Sequence, residues 1–323
     1  QGHIPLIGVN VADTGLYLGP FFTWFSTIPY ALTNLHPIGT AWAAAIIGSI
    51  TAVAVAWSAI LISNYQLPIT NLGKQSNKSM ILFTLAGIFY AVNPLINMYD
   101  RKYWNPTLVP LLALVWYLAI SKYSHKSLWL ILLAIVFGLA FHTHYSLFIL
   151  LPATLIIIIQ SDIIISSNKS SFFSKISIKR KISSRPILTS LIILIICTLP
   201  MILFEFRHGF IQTKALLTRY SSPQIDQILN QQPITEKIQI IIQSLDRLFW
   251  LGFNKDIANE ITLCNELVKS IPAIPLGIFT VIIIGILFTI KQFRRQAVIT
   301  SLVLATYLIS IVIYPGIISE YYL

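Results

Sequence analysis

Three short polar clusters interrupt an otherwise apolar chain, and each holds residue types that bind anions or hydroxyls. The first is Tyr99-Asp100-Arg101-Lys102-Tyr103-Trp104-Asn105-Pro106. Arg101 and Lys102 suit a phosphate, because a guanidinium donates two parallel N–H bonds to its oxygens and an ammonium adds a compact charge. Asp100 would orient those cations or bind an acceptor hydroxyl, while Trp104 and Asn105 offer a stacking face and an amide. The same residue types also cap a span at headgroup level, with Pro106 opening the next helix.

The second cluster is His142-Thr143-His144-Tyr145. Histidines two apart do not share a helix face and no carboxylate accompanies them, so no metal is assigned. Neutral imidazoles and a phenol make a hydrogen-bonding wall for sugar hydroxyls or phosphate oxygens, so His142, His144 and Tyr145 are substrate-binding candidates. The third is Phe204-Glu205-Phe206-Arg207-His208. Glu205 and Arg207 either neutralise each other or divide the work, with Glu205 and His208 at a substrate and Arg207 beside Arg101 and Lys102 in holding a donor phosphate. Asp13, in Asn10-Val11-Ala12-Asp13-Thr14-Gly15, is equally a turn residue. Cys197 and Cys264 have no metal-ligand spacing and form no disulfide framework.

The elements that must position these clusters are membrane helices. Only 10% of the 323 residues are charged and 56% are hydrophobic, whereas a soluble domain averages about 25% charged. An all-α polytopic membrane protein follows. The net charge of +11 reads as a topology signal rather than as a nucleic-acid surface, because of where the cations fall. Segments 63–79, 122–127, 161–186 and 291–296 hold 13 of the 22 Lys and Arg and a single acid, Asp162. These are the expected cytoplasmic loops.

A hydrocarbon core of about 30 Å takes about 20 helical residues. Spans are expected near 38–62, 80–97, 105–121, 187–205, 272–290 and 297–314. The uncharged stretch 128–159 would be about 48 Å long as one helix, too long for one crossing. Its two flanking basic loops must also share a side, so it should turn back near 142–146. That gives about eight crossings with both ends outside, and outer segments 1–37, 98–104 and 206–271. Residues 21–35 contain Pro29 and are too few to span, which points to an interfacial or re-entrant helix. In the longest outer loop, Ile234, Ile238, Ile241, Leu245, Leu248 and Phe249 recur at helical spacing and predict an amphipathic helix on the outer surface.

The order of several short motifs resembles a known family. Pro5-Leu6-Ile7-Gly8 and Leu18-Gly19-Pro20-Phe21-Phe22 come first, then Arg101 with Trp104-Asn105-Pro106 and Pro110, then His142-Thr143-His144-Tyr145. Leu199-Pro200, the Phe204-to-His208 cluster and Phe210 follow, and Tyr314-Pro315-Gly316 with Ser319-Glu320-Tyr321-Tyr322 closes the series. This succession resembles the bacterial membrane glycosyltransferases of the protein O-mannosyltransferase-like family, family 39, with the GT-C fold. The resemblance implies transfer of a sugar from a polyprenyl-phosphate donor to a glycan, lipid or protein acceptor on the outer face of the cytoplasmic membrane. It also implies a catalytic Asp-Glu pair just after a first span, upstream of the Pro5-Leu6-Ile7-Gly8 motif. Both would precede Gln1, so the principal catalytic carboxylate is left unassigned and Asp13 does not take its place. No cofactor is expected beyond the lipid-phosphate sugar, and a divalent metal is left open. A transporter or flippase, or a ligase of lipid-linked glycans, are the alternatives; scarce mid-span charge and a single broken region favour the enzyme over a transporter.

Overall fold

The computed structural model describes residues 4–10, 16–66, 72–93, 96–97, 102–122, 127–167, 184–221, 235, 277–290 and 293–313. Among them the protein is helical, with ten α-helices and no strand beyond an isolated bridge between Asn10 and Tyr17. The chain divides into two compact units, residues 1–54 with 102–222 and residues 55–101 with 223–323.

In the first unit, α1 (Phe21–Leu32) is a 12-residue helix containing Pro29. At about 1.5 Å per residue it is about 18 Å long, in keeping with a segment too short to span. Next comes α2 (Ile38–Gln66), a 29-residue helix that runs on past the boundary between the units. A single 3₁₀ turn at Asn105–Leu108 leads into α4 (Val109–Ser121); α3 belongs to the second unit. α5 (Ser127–Ala140) packs along α4 and along α7 (Ser184–Arg207). Between them, a 3₁₀ turn at Tyr145–Ile149 opens α6 (Leu150–Ser167). The break expected near 142–146 is therefore present. Phe148 lies 4.7 Å from Phe141 and 6.2 Å from Phe137, ring to ring, so the chain folds back beside α5.

The core of this unit is made by Trp116, Ile120, Val136, Ala140, Leu147 and Ala153, all nearly inaccessible. Trp116 brings one polar atom inside, and its indole N–H donates to Thr154 Oγ1 at 2.7 Å. Small residues let the helices approach. A Cβ added at Gly138 would lie 2.7 Å from Cys197 Cβ, so the α5–α7 crossing is built on the absence of that atom. The outward side of α7 is another matter: Leu188, Leu191, Ile195, Ile196, Leu199 and Leu203 are exposed. These side chains give α7 an apolar outward side.

The second unit includes α3 (Leu72–Val92), α9 (Gly277–Thr289) and α10 (Arg294–Ile313), with α8 (Ile211–Ser221) belonging to the first. α9 and α10 pack together, and Ala297 and Ile299 of α10 are buried. Helix ends leave carbonyls without partners, and side chains supply them here. Asn97 Nδ2 donates to the Ala91 carbonyl at 2.5 Å at the end of α3, and Arg294 Nε to the Phe288 carbonyl at 3.0 Å at the end of α9.

Among the described residues, two helices are long and apolar enough to cross a membrane, over Ile38–Ile62 and Arg185–Arg207. Met80–Val92, Asn105–Ser121, Leu128–Ala140, Tyr145–Ile159 and Thr280–Thr289 are apolar but shorter. Several expected loops are narrower than their charges indicated. Residues 63–66 and 72–79 continue α2 and α3, and 161–167 continue α6. Long cationic side chains reach polar surroundings from a helix end without ending the helix. Only Thr235 of the expected amphipathic helix at 234–249 is among the described residues, and the closing motif at 314–322 lies outside them.

Candidate functional site

Residues 16–22 touch the first two polar clusters and, through Gln212, the corner that follows the third. They are first held from one side by main-chain pairing: Gly8 N–H donates to the Leu18 carbonyl at 2.6 Å and Leu18 N–H to the Val9 carbonyl at 3.0 Å. Gly19 N–H donates to the Phe141 carbonyl at 2.7 Å, and Phe21 N–H to His142 Nδ1 at 3.3 Å. The main chain of Tyr17 is held at both of its polar atoms. Its N–H donates to Gln212 Oε1 at 2.7 Å, and its carbonyl accepts from the Tyr145 hydroxyl at 3.0 Å. Phe22, buried in the first turn of α1, sets its ring 5.1 Å from that of Tyr103.

His142 is only 3% exposed. Its Nε2 lies 2.6 Å from the Cys197 carbonyl of α7, so Nε2 carries the proton and donates. Nδ1 then has a lone pair for Phe21 N–H. Burial pushes the affinity of the imidazole for a further proton below its ordinary value, and outweighs the backbone groups of Cys197 and Gly19 that favour the charged ring. The ring stands so close to Gly19 that a Cβ at that position would collide with it. Both ring nitrogens are thus engaged by protein, and the expected sugar-binding role has no free atom to work with.

His144 is also turned to local use. Its Nδ1 accepts from Ser146 N–H at 3.2 Å and lies 2.7 Å from Ser146 Oγ, capping the 3₁₀ turn. Burial lowers its affinity for a proton as well. Thr143, fully inaccessible, donates its hydroxyl to the Leu139 carbonyl at 3.0 Å.

The corner between α7 and α8 is differently built. Gly209 (φ 65°) and Phe210 (φ 62°) are both left-handed, and Phe210 N–H donates back to the Glu205 carbonyl at 2.8 Å, which closes α7. The turn aims the start of α8 at the Glu205 side chain. Its Oε1 accepts from Gln212 N–H at 3.0 Å, and its Oε2 from Thr213 N–H at 3.0 Å and Thr213 Oγ1 at 2.6 Å. Glu205 is therefore a helix cap with most of its acceptor capacity used. Arg207 and His208 are exposed. His208 Nδ1 donates to the Phe204 carbonyl at 2.9 Å and its ring stacks 4.1 Å from Phe204, so one of its two nitrogens is used locally. Lys214 adds a further exposed cation.

In the first cluster, Lys102 is exposed, with its ammonium 5.8 Å from the Trp104 ring. Trp104 N–H donates to Thr107 Oγ1 at 3.0 Å, whose hydroxyl donates to the Lys102 carbonyl at 2.9 Å. Asn105 opens the 3₁₀ turn. Asp100 and Arg101 lie outside the described residues.

The chain matches no family model, no curated protein and no solved structure. Among the described residues, no three His, Cys, Asp or Glu side chains gather to hold a metal ion. Two residues that organise the site, Gln212 and Gly19, were not assigned a role in it from the sequence. Gln212, buried in the corner, joins Tyr17 to the loop that Glu205 caps, and nothing in its local sequence distinguishes it. Gly19 did carry a signal, since a glycine beside a proline at the start of a helix often marks a close approach.

Proposed function

We propose that the chain is part of a membrane glycosyltransferase that moves a sugar from a polyprenyl-phosphate donor to an acceptor hydroxyl at the outer face of the bacterial cytoplasmic membrane. The observation that carries the reading is the convergence on residues 16–22. Tyr103, His142, Tyr145 and Gln212 come from separate parts of the sequence, and each contacts that one segment. Two of the motifs that carry the family resemblance, Leu18 to Phe22 and His142 to Tyr145, take part in this convergence. In this reading the chain crosses the membrane about eight times in a GT-C-like bundle, with 63–79, 122–127, 161–186 and 291–296 toward the cytoplasm. The exposed apolar side of α7 faces lipid, where the donor's polyprenyl tail would also lie.

A polyprenyl phosphate is already a competent leaving group. The site then has two tasks: to stabilise phosphate charge as the glycosidic bond breaks, and to receive a proton from the acceptor. Arg101, Lys102 and Arg207 supply the positive charge, and Asp100, Trp104, Asn105 and His208 contact the sugar or acceptor. Glu205, His142, His144 and Tyr145 hold the frame rather than the substrate, because their polar atoms are already engaged. The carboxylate that receives this proton is unassigned among the residues named above.

The test is donor consumption by the full-length protein in lipid nanodiscs, supplied with polyprenyl-phosphate hexoses and pentoses. Arg101→Ala and Arg207→Ala should each slow consumption about tenfold or more while inserting normally. Wild-type rates in both would overturn the assignment. Movement of intact donor across the bilayer without sugar release would replace it with a flippase.

A further inference from the structure

Within α7, a proline sits one turn before the Glu205-to-His208 cluster. Pro200 has no N–H to give the Ile196 carbonyl, and its ring crowds that turn, so the helix is weakest there. A membrane helix tolerates such a residue when a neighbour supplies the missing donor. The carbonyl next along, that of Cys197, accepts from His142 Nε2 at 2.6 Å. On the same level Gly138 lets α5 approach until Cys197 Cβ is in contact, which brings the end of α5 within reach of that carbonyl. The other side of the imidazole accepts from Phe21 N–H, where residues 19–21 enter α1. One ring thus joins three chain segments at the point where α7 is easiest to bend.

We propose that His142 is a positioning residue that closes the turn of α7 weakened by Pro200, and thereby fixes where the last two turns of α7, with Glu205, Arg207 and His208, stand against residues 19–21. The two nitrogens have separable tasks: Nε2 holds α7, and Nδ1 holds the start of α1. The proposal is independent of sugar transfer. It concerns only how the corner is held.

Two amides separate these tasks. Asn places its polar atoms near the position of Nδ1, and Gln places them near that of Nε2. In the full-length protein, H142N should lose the bond to Cys197 and lower the thermal midpoint by about 4 °C. P200A restores the one missing donor, the N–H for the Ile196 carbonyl, and so stiffens the turn that His142 otherwise holds; in that background H142N should cost less than half as much. H142Q should keep the corner in place. Its position can be read by electron–electron resonance between spin labels at the exposed positions Thr23 and Leu217, with Cys197 and Cys264 replaced by Ala. H142N should broaden this distance distribution, H142Q should leave it narrow, and P200A should narrow it again in H142N. Equal cost of H142N with and without Pro200, or an unchanged distribution in H142N, would overturn the proposal.

Discussion

His142 and His208 lie at opposite ends of the same problem. His142 is enclosed, and both nitrogens are committed to main-chain groups from other segments. His208 is exposed, with one nitrogen committed to the carbonyl four residues before it. The neighbours follow suit. Around His142, Thr143 and Gly19 are inaccessible, whereas around His208 the cations Arg207 and Lys214 are open. The contrast teaches that a histidine in a polar cluster reveals little until its second nitrogen is followed. The first region is frame, and the second has chemistry to spare.

That contrast breaks most readily at Gly19. Gly19→Val drives a side chain into the His142 ring, and overpacking combined with two lost hydrogen bonds should cost more than about 3 kcal/mol. Loss of the monodisperse protein peak in detergent is expected, and a normal peak and melt would mean that the ring does not stand there. Next in size is Glu205→Ala, which removes the cap of α8 and should cost about 1–2 kcal/mol, read as a lower thermal midpoint. Glu205→Gln keeps the acceptor Oε1 and should recover part of the loss. If both variants melt as wild type, Glu205 is free for a substrate after all.

A smaller effect comes from acid. His142 and His144 bind protons less readily folded than unfolded, so the unfolded chain takes up more protons as pH falls. Stability should therefore be level above about pH 6.5 and decline as pH drops below it toward the depressed folded values. A thermal midpoint that rose on acidification from pH 7 to 5 would contradict the neutral, enclosed imidazoles. The smallest effect on stability belongs to the open corner. Arg207→Gln with His208→Gln should shift stability by less than about 0.5 kcal/mol and still slow donor consumption about tenfold. A large loss of stability would make that corner part of the frame too.

The break near 142–146 was legible in the sequence because length is arithmetic: 32 uncharged residues exceed one bilayer thickness. Helix ends were less so. Lys74 and Lys78 marked a loop by charge, yet both ride on α3, since charge reports depth and not conformation. The task of His142 depends on a carbonyl 55 residues away, which no local pattern shows. Pro200, one turn away in the same helix, is visible in the sequence, but the carbonyl it leaves without a donor is that of Ile196 and not the one His142 holds. The pairing of Glu205 with α8 was hidden by its neighbour Arg207, which offered a simpler partner.

Phe210 is a residue kept against the preference of its own backbone. A left-handed conformation costs a non-glycine residue about 1–2 kcal/mol, and glycine already stands one position earlier. Replacement by a second glycine would relieve that cost and sharpen the turn just as well. What it would remove is the ring, which rests edge-on 5.2 Å from Phe206 with both side chains facing outward. The aromatic pair is thus a paddle mounted on a bent handle, and its use lies with whatever meets the outer side of α7.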